Sequence, residues 1–476
     1  MRHERSHTKI IATIGPITRN KEILEKMIQE GVDVFRINLS HDTHEEHLKT
    51  IRYIRELNEE LESHVAILGD LQGPKLRVGE MENDKVQLED GQEFSFVTTS
   101  CTGTSEKAYL SYERLPKDVT IGEKILVDDG KLIFEVKSSN KKDTVITKVI
   151  AGGPLSSKKG VNLPHTKISQ PSLTEKDIKD AKFVLDNQVD WIALSFVRKE
   201  KDIQDLRKII ETHPNSARII AKIEKPEALE EIDEIIEASD AVMVARGDLG
   251  VEVDFHKVPL IQKSIIKKCH QKSKPVIVAT QMMESMITNP TPTRAEANDV
   301  ANAVLDGTDS VMLSGETSIG KYPIETIRNM QMIIDSTETE EYIYYKEHLS
   351  VPEARNFLAD SICYNAVQLA EQVNAAAIVT LTHSGFTAIR ISSHRPKAPI
   401  LTFTMNMDLI NDLSLVWGVR TYYFGECQHI NEYIEYTEEF LISQNLLKKG
   451  DLVVHVGSIP ILKKGKTNML KLTRVN

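Results

Sequence analysis

Arg218-Ile219-Ile220-Ala221-Lys222-Ile223-Glu224 and Asp240-Ala241-Val242-Met243-Val244-Ala245-Arg246-Gly247-Asp248 are two short apolar runs, each ending in charge. Both read as buried strands. Lys222 and Glu224 are two positions apart and therefore share a face of the first. Between the runs, residues 226–239 are apolar at Leu229, Ile232, Ile235 and Ile236, which is helix spacing. This strand–helix–strand unit delivers Glu224 and Asp248 to the same end of a parallel sheet. Two carboxylates and an ammonium on one rim suit a hard divalent cation beside an anionic substrate. Structural ion pairs would explain a single strand end of this kind; recurrence of the pattern along the chain argues against them.

Strands of the same character begin near Thr8, Val32, Val65, Trp191, Ile219, Ala241, Val276 and Ser310, with helical spacing between most of them. Eight such units predict an α/β fold built on a closed (β/α)8 TIM barrel, whose sites lie at the strand C-termini. The polar residues in unexpected places sit at those ends: Arg36 and Asn38 two apart on one strand with Ser40 just beyond it, Ser195 on another, then Thr280-Gln281 and Ser314-Gly315-Glu316. Asp42-x-x-Glu45 reads as a capping box opening a helix on which His44 and His47 are mostly exposed. Of the three nearby histidines, His41 alone is retained as a site candidate.

The alternation breaks after the third strand, at Leu71-Gln72-Gly73-Pro74-Lys75-Leu76-Arg77. Short alternating runs at 94–98, 124–127, 132–136 and 144–149, separated by Asp-Gly, Gly-Gly and Asn-Lys turns, predict an inserted all-β cap over 72–168. The cap closes with the basic, turn-rich stretch 157–164, suited to reaching a phosphate. The barrel then occupies 1–71 and 169–340. A third unit, 341–476, reads as an open α/β sheet of about five strands. Its most informative turn is Thr382-His383-Ser384-Gly385-Phe386-Thr387, a hydroxyl-rich loop running from strand to helix and fit in principle for a phosphate. An ordinary capped turn reads equally well. Gly465-Lys466-Thr467-Asn468 is placed to close over the same end.

A length of 476 residues suits about three domains, and the net charge of −11 argues against nucleic acid as the main partner. No apolar run approaches the ~18 residues of a membrane helix. Met1-Arg2-His3-Glu4-Arg5 has no signal-peptide character. Cys101, Cys269, Cys363 and Cys427 are scattered, as reduced thiols of a cytoplasmic protein would be.

Several segments resemble the pyruvate kinase family: Thr8-Lys9-Ile10-Ile11-Ala12-Thr13-Ile14-Gly15-Pro16, Arg36-Ile37-Asn38-Leu39-Ser40-His41, Lys159-Gly160-Val161-Asn162-Leu163-Pro164, Lys222-Ile223-Glu224, Met243 to Gly250, Ala279-Thr280-Gln281-Met282, Pro292 to Glu296 and Met312 to Thr317. The resemblance implies phosphoryl transfer from phosphoenolpyruvate to ADP, giving pyruvate and ATP. It implies Mg²⁺ (or Mn²⁺) on Glu224 and Asp248, with a second ion arriving on the nucleotide, and Lys222 beside the phosphoryl in flight. The amides of Gly247 and Asp248 would take the substrate carboxylate, and Arg36 and Arg77 the phosphoryl. Asn38, His41 and Lys159, with Arg77, would face ADP. Thr280 and Ser314 would order the water that protonates the enolate. A homotetramer and a phosphorylated small-molecule effector at the 382–387 loop are further family expectations.

Two departures stand out. Family members that use K⁺ hold it with the counterparts of Asn38, Ser40, Asp70 and Leu71, near an acidic residue at position 75; here that residue is Lys75, whose ammonium would repel the ion. K⁺ is therefore not expected to be required. His165 stands where glycine is usual. Two rival functions use related scaffolds. A lyase or aldolase on a Mg²⁺-enolate barrel would share the strand-end Lys, Glu and Asp but would not need Arg77, Lys158-Lys159-Gly160 or the C-terminal unit. A non-catalytic metabolite sensor would be expected to have lost some of these chemical groups.

Overall fold

The computed structural model describes residues 6–164, 166–349, 356–425, 429–460 and 467–476. Met1 to Arg5, His165, Cys427, Gly465 and Lys466 lie outside the described residues. Eight parallel strands close into a barrel: Lys9–Thr13, Val34–Asn38, Ala66–Asp70, Trp191–Leu194, Arg218–Ile223, Ala241–Ala245, Val276–Ala279 and Ser310–Leu313. The eighth pairs with the first, Ile11 opposite Met312, which completes the ring. These are the eight strands expected from the sequence.

Strand alternation divides the apolar residues into two cores. Ile11, Val34, Leu68, Trp191, Ile220, Met243 and Ile277 point inward and fill the barrel. Ile10, Phe35, Ile67, Ile219, Ile223 and Val242 point outward against the helices. Moving two residues along an inward row takes the fold from hydrocarbon to charge. Val34 is followed by Arg36, Leu68 by Asp70, and Ile220 by Lys222.

The insert leaves the barrel after the third strand and returns before the fourth. It contains a six-stranded sheet and a two-stranded one, packed on Phe94, Phe96 and Phe134. It is not wholly β, because Leu115–Asp118 forms one helical turn with Pro116 in its first turn. The C-terminal sheet has five strands ordered 419–423, 400–404, 377–381, 452–457 and 469–474, the last antiparallel. No described helix is long and apolar enough to cross a membrane.

Three local expectations are corrected. The helix over 226–239 is two helices, Pro226–Glu230 and Ile232–Ala238, broken at Glu231. The capping box is Thr43 with Glu46, not Asp42 with Glu45, because Asp42 adopts φ 61° in the preceding turn and shifts the cap by one residue. His47 is buried and reaches the carbonyl of His41 at 2.9 Å. Ser40 lies just beyond the strand, where the sequence places it, in a turn where Asn38 Oδ1 accepts its amide.

Candidate active site at the mouth of the barrel

Lys222 is the centre of the polar layer. Its ammonium donates to Ser195 Oγ at 2.7 Å and pairs with Glu224 Oε1 at 3.0 Å and Asp70 Oδ1 at 3.2 Å. Arg36 reaches Asp70 Oδ2 through Nε at 2.7 Å and Thr13 Oγ1 through Nη1 at 2.9 Å. Glu224 Oε2 accepts the amide of Phe196 at 2.8 Å. Asp70 and Glu224 are buried, and Lys222 and Arg36 nearly so.

Burial opposes the charge on Lys222, but Asp70 and Glu224 outweigh it and hold the ammonium above its ordinary value. Burial likewise pushes Asp70 up, and Lys222 with Arg36 more than reverses that, so its carboxyl sits below the usual range. Glu224 goes the other way. Burial raises it, Lys222 pulls it back and the neighbouring Asp248 carboxylate raises it further. The mouth thus holds two fixed cations, one firmly ionised carboxylate and a second carboxylate short of positive charge.

Asp248 arrives on the short helix Arg246–Glu252, which opens directly at the end of the sixth strand. Gly247 N donates to Thr280 Oγ1 at 2.7 Å, so that amide already has an acceptor. Arg246 bridges Asp299 at 2.7 Å and the carbonyl of Thr280 at 2.8 Å. Thr280 holds φ at 72°, and Gln281 and Phe196 are also in the left-handed region. For a β-branched residue this is a strained conformation of the kind that collects at functional sites. Ser314 directly follows the eighth strand, its amide held by Glu316 Oε2 at 2.7 Å.

The cap-side candidates are turned toward the cap itself. Lys159 pairs with Asp128 at 2.8 Å, and Arg77 Nη1 donates to the carbonyl of Lys158 at 3.0 Å. Burial lowers the His41 imidazole pKa, with Arg77, Lys75 and Arg36 adding to the effect, so these four groups share one electrostatic neighbourhood. The oxygens named for a monovalent cation are internally engaged: Asp70 by Arg36 and Lys222, the Leu71 carbonyl by Ser195 Oγ at 2.7 Å, and Asn38 Oδ1 by the Ser40 amide. Lys75 is exposed and lines the cleft between cap and barrel together with Asn162, Phe196, Lys225, Asp248 and Glu252.

The 382–387 loop lies far from this mouth, at the strand-to-helix turn of the C-terminal sheet. Thr382 Oγ1 accepts the Gly385 amide, Gly385 takes φ 83°, Thr387 meets Thr467, and the Ser384 carbonyl accepts from Arg218. Phe386 packs beneath Arg390, and His383 is exposed. Asn468 is bonded instead to Ile459.

Among the described residues no group of three or more His, Cys, Asp or Glu side chains is gathered as for a fully protein-held metal. Glu224 and Asp248 supply two hard carboxylates, the number expected for Mg²⁺ that shares its shell with water and substrate. A divalent cation between them would relieve both influences that raise Glu224, so the residues present fit the ion.

The contacts of Ser195, the carboxylate role of Asp70 between Arg36 and Lys222, and the Arg246–Asp299 pair were not legible in the sequence. Each is a contact between strands or helices far apart in the chain, and no spacing encodes it.

Comparison with known proteins gives a consistent result. The family model for the pyruvate kinase barrel domain matches residues 5–327, and that for the pyruvate kinase alpha/beta domain matches residues 360–473. A pyruvate kinase of Geobacillus stearothermophilus is 43% identical over 472 residues, covering 98% of this chain and 80% of that one. One from Mycobacterium intracellulare is 39% identical, with 98% of both chains covered. A crystal structure of a pyruvate kinase from Cryptosporidium parvum superposes with a TM-score of 0.93 at 38% identity, over 99% of this chain and 96% of that one.

Proposed function

The chain belongs to the pyruvate kinase family, whose members transfer the phosphoryl group of phosphoenolpyruvate to ADP, and from that premise we propose which of its residues carry the reaction. The observation that supports the assignment is the Lys222 ammonium held among Asp70, Glu224 and Ser195 at the strand C-termini. Phosphoryl transfer asks chiefly for placement and for neutralisation of spread-out negative charge. Arg36 and Lys222 supply two fixed cations, already oriented by Asp70 and Thr13, so little reorganisation is needed as charge develops. Lys222 then faces the enolate left behind.

Glu224 and Asp248 would hold Mg²⁺, which would supply positive charge to the anionic oxygens of the substrate. The Arg246–Glu252 helix presents its first turn to the substrate carboxylate. To bind that carboxylate through Gly247, the amide must exchange Thr280 Oγ1 for substrate, which frees the Thr280 hydroxyl to hold a water. Thr280 with Ser314 is therefore assigned the ordering of the proton donor. Arg77, Lys159, Asn38 and His41 are assigned to ADP. For Arg77 and Lys159 this means release from the Lys158 carbonyl and Asp128 as the cap closes and excludes water.

We assign Lys75 the place of a monovalent cation, so turnover in tetramethylammonium buffer is expected to be unchanged by added K⁺. Strong K⁺ activation would refute this. The 382–387 loop is assigned to a phosphorylated effector. A cytoplasmic homotetramer is the proposed state, on family grounds. Lys222→Met tests the central assignment. In a lactate-dehydrogenase-coupled assay with phosphoenolpyruvate and ADP, it should lose at least ~10³ in kcat while retaining Mn²⁺ binding and fold. Near-normal turnover would remove the role.

A further inference from the structure

We infer that Glu252 is a positioning residue of this reaction, a brace that sets Glu224 and Asp248 relative to each other and registers the cap against them. The inference rests on the reading of those two carboxylates as ligands of the divalent cation.

Glu252 is the last residue of the seven-residue helix on which Asp248 is third. Its Oε1 accepts from Lys225 Nζ at 2.7 Å and from Asn162 Nδ2 at 2.8 Å. Lys225 is the residue next to Glu224, and its ammonium also lies 5.9 Å from the centre of the Phe196 ring, whose own amide donates to Glu224. Asn162 belongs to the last strand of the cap. All three side chains are buried, and Glu252 Oε2 has no hydrogen-bond partner among the described residues.

Stability alone does not explain this choice of residue. A carboxylate at a helix C-terminus meets the negative end of the dipole. A buried oxygen without a partner adds a further cost, and apolar side chains replacing both Glu252 and Lys225 would incur neither. What the carboxylate supplies is connection. Two turns of helix are too short to hold their own position, so their ends must be fixed by contacts. Arg246 fixes the first turn to Asp299 and Thr280, and Glu252 fixes the last to Lys225. The spacing of Glu224 and Asp248 is thereby set through Lys225–Glu252, and Asn162 makes the cap part of the same bond network.

Mn²⁺ titrated into the full chain, followed by electron paramagnetic resonance of the free ion, tests the brace alongside steady-state kinetics. Glu224→Gln is the reference and should lose Mn²⁺ binding; if it does not, the metal reading itself fails and the brace with it. Glu252→Gln should weaken Mn²⁺ binding about 10–100-fold, the usual effect of a lost outer-shell partner. Asn162→Ala should leave Mn²⁺ binding within about twofold yet lower kcat at least ~10-fold, a split that general destabilisation would not produce. Lys225→Met/Glu252→Gln, which strands no buried ammonium, replaces the single Glu252 variant should that variant not fold. Parent-like Mn²⁺ binding in the folded Glu252 variant, single or double, overturns the brace. A parent-like kcat in Asn162→Ala overturns the link to the cap.

Discussion

Thr280 carries the most local strain of the assigned residues, a β-branched side chain at φ 72° whose hydroxyl accepts the Gly247 amide. Such a conformation survives only where its surroundings impose it, and here Arg246 holds the Thr280 carbonyl from the other side. Thr280→Ala keeps the positive φ and removes the hydroxyl together with the γ-methyl. It is therefore expected to act on proton delivery, lowering kcat about 10²-fold with little change in the KM for ADP. Deuterium uptake into the methyl group of pyruvate, followed by NMR, should fall in parallel; uptake at the parent rate would free Thr280 from that role. This residue was named from the sequence because it ends a strand, but its strain and its bond to Gly247 were not legible there. By contrast Lys222 and Glu224 were legible down to their shared face, since two-residue spacing on a strand fixes direction without knowledge of neighbours.

At the level of elements, the Arg218–Ile223 strand joins two ends of the molecule. Its last inward residue is Lys222; its first, Arg218, reaches into the C-terminal unit, donating to Asp412 Oδ2 at 2.8 Å and to the Ser384 carbonyl at 3.0 Å. Burial pushes the Asp412 carboxyl up to about 6, and Arg218 opposes that rise. Arg218→Ala would leave Asp412 without its cation and should cost about 2 kcal/mol in a chemical-denaturation measurement, since removing one partner of a largely buried pair leaves the other uncompensated. A change below about 0.5 kcal/mol would mean solvent already screens the pair. The strands themselves were readable because burial on both faces writes continuous apolar runs. The break at Glu231 and the shift of the cap from Asp42 to Thr43 were not, because both depend on single-residue backbone angles that neighbouring sequence leaves open.

Across the whole molecule, the barrel's lower end and the C-terminal unit meet through His7 and His270, while His348 and His394 stack on each other within the C-terminal unit, an arrangement that no spacing of those residues in the sequence announced. His7 stacks on Trp417 with ring centroids 4.4 Å apart, and His348 on His394 at 4.0 Å. Arg395, itself buried, lies between, bonded to Asp309 at 2.8 Å. Burial lowers His7 to about 3, His348 to about 4 and His394 to about 3, the cations nearby adding to the effect. These groups stay neutral in the folded chain but take up a proton near pH 6.5 once unfolded. Their stabilisation is complete above that value and drains away as pH falls toward 4, about 2 kcal/mol for each histidine by pH 5. Glu338 works in the opposite direction. Burial raises it to about 7, so the folded chain binds its proton more tightly than the unfolded one, and acidification from pH 7 toward 4.5 returns stability. His270 is lowered likewise and Asp412 raised, so four imidazoles stand against two carboxyls, and the denaturation midpoint should fall by a few kcal/mol equivalent between pH 7.5 and 5. His394→Asn should flatten that fall and Glu338→Gln should steepen it. Equal slopes in all three proteins would show that these buried groups do not set the acid response of the interface.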